Sequence, residues 1–162
     1  ANTIGNLLNR TSSMSRKWFD NKVPNIEEIS SENKLENFAK IAVESYIHKF
    51  DIYKLDLAAN EVLSLAINTN LYLNDNQPWM LIKEKNNFPI VKEIIYNVLE
   101  STRIIGLLLL PLLPELSSKI NDQLGSTYKK EIPWEQQLRW GLLKSNSSLP
   151  KPNPIINKLE YE

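Results

Sequence analysis

Asn2-Thr3-Ile4-Gly5-Asn6-Leu7-Leu8-Asn9-Arg10-Thr11-Ser12-Ser13-Met14-Ser15-Arg16-Lys17-Trp18 reads as an amphipathic helix. Ile4, Leu7, Leu8, Thr11, Met14 and Trp18 recur at helical spacing and make one apolar stripe. Asn6, Asn9, Arg10, Ser13 and Lys17 fall on the opposite face. The helix is expected to give way before Pro24, because a residue preceding proline is pushed out of the helical region.

The same period returns further along. A second helix is expected from about Ser31 to Lys49, with Leu35, Phe38, Ala39, Ala42, Val43, Tyr46 and Ile47 on its apolar stripe. A third starts near Asp51 and runs through Leu73, burying Leu55, Ala58, Val62, Leu65, Ala66 and Thr69. Asn74-Asp75-Asn76-Gln77-Pro78 reads as a helix stop and a turn. After Trp79 and a short segment, Met80 to Lys85, a long helix is expected from about Pro89 to Leu110. Pro111 and Pro114 interrupt it, Glu115 to Leu124 resumes as helix, and Gly125 ends that stretch.

From Ser126 the pattern decays to one short element packed by Trp134 and Trp140. The prolines of Leu149-Pro150-Lys151-Pro152-Asn153-Pro154 demand an extended tail. No alternating stretch calls for a sheet. The expectation is therefore an all-α helical bundle of about five helices over residues 1–125, with a short helix and an extended Pro-rich tail over 126–162.

Composition narrows the chemistry. Nineteen Lys+Arg balance nineteen Asp+Glu, so this is no general polyanion binder, and nucleic-acid contacts would rest on particular side chains. With no Cys and only His48, thiol chemistry, a triad and a Cys- or His-rich metal site lack raw material, and a reducing compartment is suited. Gly5, Gly106, Gly125 and Gly141 stand too far apart for a phosphate loop. Glu27-Glu28 and Glu160…Glu162 lie in polar, solvated stretches, and His48 reads as a packed or surface residue. No catalytic residue and no metal ligand is expected. Ile104 to Leu113, the longest apolar run, is far short of the ~20 residues of a bilayer span and reads as a helix buried on all sides. The N-terminus lacks a signal peptide and a Met, so the chain reads as an excised, cytoplasmic, non-membrane sequence.

Two segments break the local rules. Asn6 and Arg10 are four apart and share one side of the first helix. Asn is a poor helix former, so Asn2, Asn6 and Asn9 cost roughly 0.5 kcal/mol each. Their amides both donate and accept, as reading a base edge requires, and Arg10 adds a planar guanidinium. The plainer reading is a solvated face with a surplus of Asn. The second segment is Asn76-Gln77-Pro78-Trp79. An indole held by a proline turn is either a stacking platform for an unpaired base or simply the packed start of the next element.

At these segments the sequence resembles the anticodon-binding domain of methionyl-tRNA synthetases of bacterial or organellar type. The opening Ala1-Asn2-Thr3-Ile4-Gly5-Asn6-Leu7-Leu8-Asn9-Arg10 looks like the start of that family's helical bundle. Ala66-Ile67-Asn68-Thr69-Asn70-Leu71-Tyr72-Leu73 before Pro78-Trp79 looks like its Asn-x-Tyr helix end and Pro-Trp pair, and Lys151-Pro152-Asn153-Pro154-Ile155-Ile156 is similar to its closing segment. Leu71 stands where many relatives carry a basic residue, and Asn74 and Asp75 where acidic ones precede Pro-Trp.

The resemblance implies a class I synthetase type of bundle in which Asn6 and Arg10 contact anticodon bases. Trp79, positioned by Pro78, would stack on a splayed base. Arg16, Lys17 and Lys22 are candidates for RNA-backbone contacts. The implied partners are the CAU anticodon loop of tRNA(Met) and a catalytic domain. ATP, methionine and zinc sites would lie in that domain, which carries His-Ile-Gly-His-like and Lys-Met-Ser-Lys-Ser motifs absent here. Two rival readings are the anticodon bundle of another class I synthetase, or a free-standing tRNA binder derived from one, and a helical protein–protein adaptor.

Overall fold

A computed structural model describes residues 2–26 and 32–150. The carboxylate pairs Glu27-Glu28 and Glu160…Glu162, and the Pro-rich tail beyond Pro150, lie outside the described residues. Within them the chain forms seven α-helices, α1 (Asn2–Phe19), α2 (Lys34–Asp51), α3 (Leu55–Asn76), α4 (Pro78–Leu81), α5 (Phe88–Leu108), α6 (Pro114–Leu124) and α7 (Trp134–Gln137), and a 3-10 turn at Lys85–Asn87. Five are long, and α4 and α7 are four-residue turns. No strand occurs among the described residues; Lys22 and Ser148 form one isolated bridge.

Local chemistry sets the boundaries. Asn33 caps α2, its side-chain oxygen accepting the Glu36 backbone N–H at 3.0 Å, so the helix starts at Lys34 rather than near Ser31. A turn through Tyr53, at φ 63°, joins α2 to α3 as a helical hairpin. The expected stop at Asn74 is a correction: α3 continues to Asn76. The Asn76 amide donates back to the Tyr72 carbonyl at 2.8 Å, satisfying one of the helix-end acceptors. Gln77 then turns the chain in the left-handed region, φ 46° and ψ 60°, and Pro78 opens α4 at a position that needs no N–H donor. Gly125, at φ 63°, closes α6.

Helix α5 is the axis of the molecule. Its residues from Ile94 to Leu108 are buried all round, matching the expectation for the apolar run at Ile104. The end of that run departs from it. The helix stops at Leu108, Pro111 prevents its continuation, and Leu113 is half-exposed. Around α5 one core joins Ile4, Leu8, Ala39, Tyr46, Val62, Leu65, Leu99, Ile105 and Ile120. Phe38 and Leu55, placed on the buried stripes from sequence, are 45% and 48% exposed. Phe38 lies in the second turn of α2, and Leu55 is the first residue of α3. Helices α5 and α6 approach so closely that a Cβ on Gly106 would lie 2.9 Å from Ile120 Cγ2.

Residues 126–150 pack onto the same core through Leu138, Leu143 and Leu149. They are also pinned by a buried polar network on α5. The Arg103 guanidinium donates to the carbonyls of Gln137 (2.6 Å) and Arg139 (2.8 Å) while ion-pairing with Glu100. The Leu143 N–H donates to Glu100 Oε2 at 2.7 Å, and the Tyr96 hydroxyl to the Leu143 carbonyl at 2.8 Å. The Trp134 indole N–H donates to the Leu107 carbonyl at 2.9 Å. Trp18, Trp134 and Trp140 are partly buried against the core, as read from the sequence.

Candidate nucleic-acid interface

The two rule-breaking segments meet in space. Leu7 and Leu8 face inward from α1 and are fully buried, which turns Asn6 and Arg10 outward on the other side of the helix. The end of α3 lies alongside. Asn70 and Asn74, four residues apart on α3, aim both amides at Arg10. Arg10 Nη1 donates to Asn70 Oδ1 at 3.3 Å and Nη2 to Asn74 Oδ1 at 3.0 Å. The guanidinium carbon stands 5.5 Å from the centroid of the Trp79 ring, within cation–π range.

Trp79 is half-buried rather than freely exposed, because Arg10 covers it and a second apolar cluster backs it. That cluster consists of Leu7, Leu35, Leu73, Ile94 and Val98, with Tyr72 and Trp79 packed against it. Pro78, the residue before Trp79, is buried at the start of α4. Next to the indole opens a depression of about 480 Å³ lined by Thr3, Asn6, Asn9, Arg10 and Asn70. The residues around it carry amide and hydroxyl groups, which accept and donate hydrogen bonds without fixed charge, and one guanidinium.

Asn6, Arg10, Pro78 and Trp79 therefore form one neighbourhood. Arg16 and Lys17 are exposed near the other end of α1, about 9 Å or more along the axis from Arg10. Lys22 is exposed past that helix, in the bridge to Ser148. The structure does not bring these three cations to the depression. Sequence reading missed Asn70 and Asn74 as partners of Arg10. Asn70 lay in a quoted segment, and the signal was its i,i+4 spacing to Asn74, hidden once Asn74 was read as a helix stop. Leu71, on an adjacent side of α3, is 50% exposed. His48 is exposed. Among the described residues no group of three or more His, Cys, Asp or Glu is placed to hold a metal, and no helix is long and apolar enough to cross a membrane.

The α-helical bundle thus presents a guanidinium over an indole and, beside it, a hollow walled by amide-bearing residues. A family profile described as the anticodon binding domain of methionyl tRNA ligase matches residues 23–162, and the chain belongs to that family. The matched span contains Pro78 and Trp79 but not Asn6 and Arg10. The similarity nevertheless extends over α1: a methionine–tRNA ligase 1 of Bacillus cereus is 31% identical over 100% of the chain. A methionine–tRNA ligase of Thermosynechococcus vestitus is 34% identical over 98% of it. The apo methionyl-tRNA synthetase of Mycobacterium tuberculosis superposes with a TM-score of 0.80 at 27% identity, covering 96% of the chain. The chain spans only 31%, 25% and 31% of the Thermosynechococcus, Bacillus and Mycobacterium proteins.

Proposed function

We infer that this chain reads the CAU anticodon of tRNA(Met) as the remote recognition domain of a methionine–tRNA ligase. The observation that carries the reading is the place of Arg10, which lines one hollow together with Asn6 and stands over the ring of Trp79. Bases of a single-stranded loop expose their Watson–Crick edges, whereas the deep groove of an A-form helix hides them. A base splayed from the loop would stack on the Trp79 indole, a contact of about 1–3 kcal/mol. Asn6 and Arg10 would address base edges or planes beside it. Arg16, Lys17 and Lys22, standing apart from the hollow, suit the sugar–phosphate backbone instead. With a net charge of zero, specificity would rest on few contacts and a modest electrostatic contribution.

The remainder of the ligase, lying N-terminal to this bundle, would hold ATP, methionine and zinc and join methionine to the tRNA in the cytoplasm. This bundle contributes no catalytic residue in that scheme. Its binding energy would position the acceptor end for reaction in the catalytic domain, its partner in the intact enzyme.

The test is 19F NMR of the chain labelled with 5-fluorotryptophan, titrated with anticodon stem-loops carrying CAU or a scrambled triplet. The Trp79 resonance, assigned by Trp79→Phe, is expected to shift with CAU and not with the scrambled loop. Trp79→Ala is expected to weaken CAU binding about tenfold or more with helical circular dichroism unchanged. An equal response to both triplets, or none with the fold intact, would overturn the anticodon reading.

A further inference from the structure

We propose that Asn70 and Asn74 are positioning residues that hold the Arg10 guanidinium over Trp79 before any RNA arrives. The inference deepens the anticodon reading and rests on it. Both amide oxygens are engaged on Arg10, at 3.3 and 3.0 Å, and they hold its two terminal nitrogens separately. Two hydrogen bonds to different nitrogens of a planar group fix its rotation as well as its place. A free arginine side chain gives up rotamer entropy when it is immobilised. Here the fold has already immobilised it, so less is lost when a base docks.

The chemistry of the holders matters as much as their geometry. Asn70 and Asn74 are neutral, so they orient the guanidinium without cancelling its charge. A carboxylate at Asn74, where relatives are often acidic, would hold the guanidinium by a stronger, charge-assisted pair. The holders also depend on α3 staying helical to Asn76. A helix ending at Leu73 would send the Asn74 amide elsewhere. Gln77, in the left-handed conformation, ends the helix two residues after Asp75 and three after Asn74. The same turn that stops α3 thus delivers Trp79 to the guanidinium that α3 holds.

The proposal is tested with Asn70→Ala, Asn74→Ala, their double variant and Asn74→Asp in the full 162-residue chain. Alanine favours helix more than asparagine, so lost binding would not reflect a weakened α3. The first readout needs no RNA: 15N relaxation of the Arg10 Nε–Hε group in the free protein. That group is expected to be ordered in the parent chain and Asn74→Asp and disordered in the double alanine variant. Equal order in all would overturn the proposal.

The second readout is binding to the CAU and scrambled stem-loops. Each single alanine variant is expected to lose roughly tenfold for CAU and less than twofold for the scrambled loop. In an Arg10→Ala background the same substitutions should cost nothing further, because their target is gone. An equal loss in that background would show a structural role and overturn the proposal. If the parent chain shows no preference for CAU, the anticodon reading itself fails, and the relaxation data alone then decide whether the amides hold Arg10.

Discussion

Arg10 makes two kinds of contact at once, a planar fork toward two amides and a face toward an indole. Lysine keeps the charge but has neither the fork nor the plane. Arg10→Lys is therefore expected to lose most of the preference for CAU over a scrambled triplet. The slope of log affinity against log salt should stay nearly unchanged, because one cation replaces another. Fluorescence anisotropy with both stem-loops at several salt concentrations checks this, and a preserved triplet preference would show that Arg10 acts by charge alone. This residue was legible in the sequence through the Asn6–Arg10 spacing and the cost of Asn in a helix. Asn70 and Asn74 were not, because nothing local says that α1 lies beside the end of α3.

At the scale of elements, Tyr46 ties α2 to the end of α5. It is fully buried, and its hydroxyl donates to the Leu108 carbonyl at 2.7 Å, a group left without an intrahelical partner where α5 stops. Burial pushes the phenol up from 10 to about 12. In the unfolded chain Tyr46 loses its proton first, so the folded state binds more protons over this interval. Its stabilising contribution is complete below pH 10 and is lost as pH rises toward about 12. Tyr46→Phe is expected to cost about 1 kcal/mol at pH 7 and to flatten this part of the alkaline limb. Denaturant titrations between pH 7 and 11 measure both effects; an alkaline limb identical to the parent's would refute the assignment. The helices themselves were readable from periodicity alone. Their margins were not: Phe38 and Leu55 carry the right period, but exposure there depends on how far a neighbour extends.

For the whole molecule the decisive feature is the buried Glu100–Arg103 pair, which fastens residues 137–143 to the central helix. Burial pushes the Glu100 carboxyl up, and the Arg103 guanidinium and the Leu143 N–H oppose that shift. Arg103→Leu would strand a buried carboxyl and two carbonyls, those of Gln137 and Arg139. A loss of about 3–5 kcal/mol is expected, with red-shifted emission from Trp134 and Trp140 as the segment loosens. The double variant Glu100→Leu, Arg103→Leu should regain only part of this, because the lone carboxyl is gone while the two carbonyls lack donors and the Leu143 N–H lacks its acceptor. Chemical denaturation of both variants, followed by tryptophan emission, checks the expectation. A double variant less stable than Arg103→Leu would contradict it. Glu100 and Arg103 went unremarked in the sequence, since an i,i+3 charged pair is ordinarily a solvated one.

By itself the sequence determined the all-helical class and the order and approximate span of the long helices, and it supplied the residues proposed to read a base. Each of these is a property of neighbours along the chain, namely side-chain period, proline and glycine punctuation, and the donor–acceptor make-up of Asn and Arg. Only the tertiary structure decided which helix ends meet. It placed Asn70 and Asn74 on Arg10, left Arg16, Lys17 and Lys22 away from the hollow, and buried a charged pair under the C-terminal segment. The physical reason is that helical period reports which face is apolar, whereas the register between two packed helices depends on the complementarity of both surfaces at once.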